Sequence, residues 1–186
     1  MSNPLVVNLF GAPGSGKSTA AAGVFSQLKQ KHINCELVTE FAKDLTWEDN
    51  KLALSAQPYI FGEQYYRMVR CADKVDVIVT DSPLLLTIIH NKDQRCREEL
   101  NATALAAFNS FDNLNFCLKR PCEYQCVGRC ETEKEAEQIG NEILFLLIEN
   151  KIEFEVIGDY PARVDEIVTI CLEKLGVLNE VLRRNS

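Results

Sequence analysis

At 186 residues the chain is long enough for one domain with a substantial core and too short for two ordinary ones. Apolar residues make up 46% and charged residues 25%, a balance that excludes disordered and fibrous classes. The net charge of −7 repels polyanions at long range, so a nonspecific nucleic-acid coat is excluded and any phosphate must be held locally by a few aimed donors.

The first strand is predicted at 5–10, "LVVNLF". The residues up to it lack the basic region and cleavage site of a signal peptide. No run in the chain approaches the roughly 20 apolar residues a membrane helix needs. The protein is therefore expected in the cytoplasm, where its eight cysteines (35, 71, 96, 117, 122, 126, 130 and 171) stay reduced.

Directly after that strand stands Gly11-Ala12-Pro13-Gly14-Ser15-Gly16-Lys17-Ser18-Thr19, a match to G-x-x-x-x-G-K-[ST], and directly after it a segment with helical spacing. Glycines let the loop fold tightly enough for successive N–H groups to point inward at phosphate oxygens, and the helix adds its positive dipole end. Lys17 is placed to supply a charge between the β and γ phosphates, and the Ser18 hydroxyl to ligate Mg²⁺. The plain alternative is a glycine-rich turn that binds nothing.

The second strand is predicted at 33–38 and runs into "VTEFAKDL". Glu40 occupies the strand's carboxyl edge, suited to accept a proton from a substrate hydroxyl or to hydrogen-bond the substrate; otherwise it is a carboxylate favoured by a helix dipole. Asp44, one helical turn on, either shares that site or is solvated. In 57–73, "QPYIFGEQYYRMVRCAD", helical spacing puts Ile60, Gln64 and Arg67 on one face with Tyr59 near Glu63 and Arg70. Tyr59, Gln64 and Arg67 are candidates to line a pocket for a base and a phosphate or ribose, against the alternative of an ordinary surface helix. The third strand, 76–80, ends at Asp81, where a carboxylate would complete the Mg²⁺ shell unless Asp-Ser-Pro is simply a turn.

Strands at 114–118 and 154–157 follow, separated by "EKEAEQIGNEILFLLIEN", whose Ala136, Ile139, Ile143, Leu146 and Leu147 recur at helical spacing after a Thr132-x-x-Glu135 capping box. Pro161 marks a last helix start. From the end of the fourth strand toward the capping box runs "CLKRPCEYQCVGRC", residues 117–130. Cys117, Cys122, Cys126 and Cys130 form a minority zinc candidate without a C-x-x-C pair. His32 and His90 are isolated. Strand and helix alternate throughout, which predicts an α/β protein of one domain over 1–186: a three-layer P-loop NTPase fold, about five parallel strands with helices on both faces.

The loop GAPGSGKST, "TEFAKDL", "IFGEQYYR", "VIVTDSP" and the arginine of "GRCETEKEAEQI" together resemble small P-loop ATP-binding proteins of phages and bacteria, similar to the ribosylnicotinamide kinase domain and more distantly to thymidylate and other nucleotide kinases. "TDSP" stands where thymidylate kinases have an Asp-Arg pair, which speaks against thymidylate. The resemblance implies ATP and Mg²⁺ as cofactors and a lid over about 119–135. Arg129 in that lid would approach the transferring phosphoryl group, with Lys119 and Arg120 as partners. The expected activity is phosphoryl transfer from ATP to a nucleoside-like or nucleotide-like small molecule, in the host cytoplasm if the gene is a phage's. A hydroxymethylated pyrimidine in phage DNA is a less favoured acceptor, because no basic stripe is evident. The competing expectations are an ATPase switch acting on a protein partner and a zinc-stabilised interaction module. A dimer is compatible with all of them, and no membrane is involved.

Overall fold

A computed structural model describes residues 3–120, 132–158 and 162–178. Its elements are β1 (Leu5–Phe10), α1 (Lys17–Gln30), β2 (Cys35–Val38), α2 (Phe41–Trp47), α3 (Lys51–Leu54), α4 (Gln57–Ala72), β3 (Val77–Thr80), α5 (Leu86–His90), α6 (Arg97–Asn109), β4 (Asp112–Leu118), α7 (Glu133–Glu149), β5 (Glu155–Ile157) and α8 (Arg163–Lys174). The five strands form one sheet in the order β2-β3-β1-β4-β5, and every pairing is parallel. The fold is α/β in three layers.

Because side chains alternate across a strand, β1 feeds both faces of the sheet. Leu5, Val7 and Leu9 join a core built with Ala20, Ala21, Val24 and Leu28 of α1 and Ile167, Val168, Cys171 and Leu172 of α8. Val6 and Phe10 join a second core with α4, α5, α6 and α7, to which Ile143, Leu146 and Leu147 belong. All six β1 residues are buried, as a strand covered by helices on both faces must be. Each fully buried aliphatic side chain there contributes about 1.5–3 kcal/mol.

The polar exception in β1 is Asn8. Its Nδ2 donates to the Oδ1 of Asn113 at 2.8 Å and of Asn115 at 3.0 Å, and Asn115 in turn donates to the carbonyl of Glu153 at 2.9 Å. These bonds tie β1 and β4 to the connection before β5. The predicted capping box forms: the Thr132 hydroxyl accepts from the Glu135 N–H at 3.3 Å, and the Glu135 carboxylate accepts from the Thr132 N–H at 2.7 Å. The Thr132 N–H, and then the Thr132 hydroxyl, which also donates to that carboxylate at 2.7 Å, hold the Glu135 carboxyl below its usual range. No described helix is long and apolar enough to cross a membrane.

The strand order places the site. From β1 the chain runs out to β2, returns to β3 beside β1, then crosses to β4 on β1's other side. The order reverses at β1, so the carboxyl ends of β1, β3 and β4 border the crevice where sheets of this kind take ligands.

Candidate functional site

The loop from Gly11 to Gly16 connects β1 to α1 at that crevice. Gly11 (φ 146°) and Gly16 (φ 82°) adopt backbone conformations that L side chains resist. A Cβ on Gly11 would also lie 2.6 Å from the Ser15 hydroxyl and 2.9 Å from the Leu118 carbonyl. The loop closes on itself through a 3.0 Å bond from the Ser15 N–H to the Ala12 carbonyl. Lys17 folds back over it, its Nζ donating to the carbonyls of Gly11 at 2.8 Å and Ala12 at 3.3 Å. The 14-residue α1 starts at Lys17 with no side-chain cap and no acidic residue in its first turn. Its first N–H groups and dipole are therefore uncompensated by side chains, which suits an anion in the loop's curve. Ser18 and Thr19 are exposed on that first turn, and Pro13 and Gly14 are half-buried in the loop.

Asp81 follows β3 directly and is only 4% exposed. Its Oδ1 accepts from the Glu40 N–H at 3.1 Å, a bond that joins the ends of β2 and β3 through the Glu40 backbone. A buried carboxylate at one strand end and a hydroxyl at the start of α1 are the hard oxygen donors that Mg²⁺ prefers, so Asp81 and Ser18 fit that ion. Glu40 sits at the N-cap of α2 without capping it by its own side chain.

The α4 residues expected to meet an acceptor lie against the start of α2. Gln64, 4% exposed, accepts from the Phe41 N–H at 2.9 Å and donates to the Thr39 carbonyl at 3.4 Å. Arg67 pairs with Asp44, and its guanidinium carbon lies 4.9 Å from the centre of the Phe41 ring. Tyr59 meets the same ring edge to face at 5.3 Å. Of the three candidates, Tyr59 stays most exposed and lines an open cleft of about 630 Å³ with Leu52, Pro58, Asp93 and Arg95. Arg95 grips Asp93 through two nitrogens at 2.8 and 2.6 Å, which holds that carboxyl down at about 2. A second open groove, about 830 Å³, runs between α5 and α7 past Ile88, Ile89 and Phe145, and it contains none of the predicted site residues.

Arg163 is the structural residue that sequence reasoning missed. At 1% exposure its guanidinium donates to the carbonyls of Ser15 at 2.6 Å, Lys119 at 2.8 Å and Gly158 at 2.9 and 3.0 Å. It therefore ties together the phosphate loop, the end of β4 and the end of β5. Gly16 permits this approach, since a Cβ there would stand 3.2 Å from Nη1. A buried arginine gives no local periodic signal, but its place at the first turn after the fifth strand could have raised it.

Arg120, expected to assist in the lid, pairs with Glu133 at the start of α7 at 3.0 Å. Arg129, Cys122, Cys126, Cys130 and Pro161 lie outside the described residues. Among the described residues no group of three or more His, Cys, Asp or Glu side chains is placed to hold a metal. Cys117 is buried in β4, and burial pushes its thiol up against the opposing pull of Lys17.

A family model described as an AAA domain matches residues 6–163. No curated protein matches the chain. Among solved structures, the NadR protein in complex with NR superposes with a TM-score of 0.74 at 18% identity, over 94% of this chain and 52% of that one. The chain thus spans about half the length of that structure. Thymidylate kinase from Ehrlichia chaffeensis superposes with a TM-score of 0.59 at 14% identity, over 94% of this chain and 100% of that one. Both likenesses establish the fold.

Proposed function

The chain belongs to the AAA-domain family, and from that premise we propose that it is a P-loop kinase acting on a small nucleoside-like or nucleotide-like acceptor. The observation that carries the reading is a glycine-shaped loop and an uncapped helix start beside a buried carboxylate that touches the backbone of a second acid, Glu40. That combination supplies anion donors, a metal ligand and a base at one sheet edge. The fold neighbours point to the acceptor class, since one is a thymidylate kinase and the other was solved with NR.

MgATP, when bound, supplies the γ-phosphoryl group. In this reading the amides of Gly14 to Thr19 and the Lys17 ammonium hold the phosphate chain, and Lys17 exchanges its present bonds to the Gly11 and Ala12 carbonyls for phosphate oxygens. Ser18 and Asp81 would hold Mg²⁺, which would offset charge on the phosphates. The acceptor oxygen bonds to the γ-phosphorus, the bridging bond to the β-phosphate breaks, and ADP leaves. The acceptor's proton passes to the Glu40 carboxylate. Arg129 is assigned to the charge that develops on the phosphoryl oxygens, where such arginines contribute about 10³–10⁵ in rate. Tyr59, half-exposed in its cleft beside Asp93 and Arg95, is the surface assigned to the acceptor's ring.

The test is an ADP-release screen over nucleosides, nucleotides, nicotinamide riboside and hydroxymethylpyrimidine DNA, with wild type and Lys17→Ala. Turnover stimulated by one acceptor and lost in Lys17→Ala supports the kinase. Turnover indifferent to every acceptor assigns the protein to the ATPase class instead.

A further inference from the structure

Glu40 stands just past the point where its strand stops being held by the sheet. The β2–β3 ladder ends at Val38 opposite Thr80, two residues before it. Beyond that point the backbone takes other partners, above all at the buried Phe41, since a buried N–H left unpaired costs about 1–3 kcal/mol.

Two buried side chains supply them on three consecutive residues. The Glu40 N–H goes to Asp81 Oδ1 at 3.1 Å. The N–H that follows, on Phe41, goes to Gln64 Oε1 at 2.9 Å, and the carbonyl that precedes, on Thr39, receives Gln64 Nε2 at 3.4 Å. Gln64 therefore brackets Glu40 from both sides, with both its amide oxygen and its amide nitrogen bonded to backbone and only 4% of its surface exposed. The Phe41 ring is held from the same helix, by Tyr59 at 5.3 Å and by Arg67 at 4.9 Å.

We propose that Gln64 is a positioning residue: it fixes the backbone of Glu40, and so the placement of that carboxylate toward the acceptor, without touching the acceptor itself. This rests on the reading of Glu40 as the base. Asp81 holds the middle of the same three-residue stretch, so the metal ligand and the base share one rigid mount. A mutational displacement on the order of 1 Å at a reacting group costs about 10²-fold in rate. The effect of losing Gln64 should thus fall on turnover and not on affinity.

Two substitutions separate the roles. Gln64→Met keeps the length of the side chain and loses both bonds. Gln64→Glu keeps an oxygen for the Phe41 N–H and loses the donor to Thr39. The first readout is amide hydrogen exchange in the apo protein, with folding checked by circular dichroism. The Phe41 amide should exchange about 10-fold or more faster in Gln64→Met than in wild type and regain protection in Gln64→Glu. Unchanged Phe41 protection in a folded Gln64→Met overturns the proposal whatever the acceptor.

The second readout is steady-state phosphorylation of two probes, nicotinamide riboside and thymidine monophosphate. Gln64→Met should lower kcat about 10- to 100-fold, leave KM for the probe within about threefold, and add little further loss to Glu40→Gln in the double variant. A raised KM with unchanged kcat would make Gln64 an acceptor contact and overturn the proposal. Loss fully additive with that of Glu40→Gln overturns it as well. Full turnover by Glu40→Gln removes the base reading and the catalytic purpose of the bracket with it, while the exchange readout still decides whether Gln64 fixes the loop.

Discussion

Replacing Arg163 by Met removes the guanidinium and leaves three carbonyls, on Ser15, Lys119 and Gly158, without that donor. An unsatisfied buried acceptor costs about 1–3 kcal/mol; the Ser15 bond is buried and those to Lys119 and Gly158 are part-buried, so the raw sum is at most about 3–9 kcal/mol. Part of that is returned because the charged guanidinium no longer has to be desolvated, which brings the expected loss to about 3–5 kcal/mol. In a chain of this size that is about 6–20 °C in Tm. Arg163→Lys restores one or two of the bonds and should recover about half. The substitution should also weaken MgATP about tenfold, because the Ser15 carbonyl it anchors belongs to the phosphate loop. Leu172→Ala is the control. It empties core volume in the same helix for a loss of about 2–5 kcal/mol without touching the loop. Melting curves with and without MgATP, together with calorimetric affinities, read both effects. If Arg163→Met melts within about 2 °C of wild type, or matches Leu172→Ala in MgATP affinity, the assignment of Arg163 as the anchor of the loop is refuted.

Burial pushes the thiols of Cys35 and Cys171 up to about 11 and about 12, and those of Cys71 and Cys117 also rise. At pH 8 these four should react with iodoacetamide at least about 10-fold more slowly in the native protein than after denaturation, as peptide mapping would show; equal rates would contradict the packing. The Glu135 carboxyl is held low by its bonds to Thr132, so its contribution is present above its unfolded value of 4.5 and lost as pH falls through the lower folded value. The Tm gap between wild type and Glu135→Gln should therefore shrink from pH 6 to pH 3, whereas a gap constant with pH would remove the cap from the account.

The parts of this molecule that were legible in its sequence are the ones whose partners lie close along the chain. β1, its phosphate loop and the start of α1 occupy one continuous stretch, and the capping box of α7 spans four residues. The strand-end acids Glu40 and Asp81 were legible because a parallel sheet aligns its carboxyl ends, a rule of topology that needs no contact map. Gln64 was found for its polarity on an amphipathic helix, but periodicity does not say what an amide will bond, and its partner lies 23 residues away on another element. Arg163 was missed because its role depends on a contact across 148 residues, and because a charged residue in sequence reads as surface. The short α3 and the separate α5 and α6 also escaped individual prediction, since tertiary packing rather than strong local pattern sets their bounds.

Isothermal calorimetry of the folded protein with MgATP bears most directly on the claim that the Gly11–Thr19 loop grips a triphosphate. Saturable one-to-one binding that requires Mg²⁺, falls about tenfold or more in Lys17→Ala and is absent with AMP is the predicted result. No uptake of any nucleoside triphosphate by folded wild-type protein would contradict it.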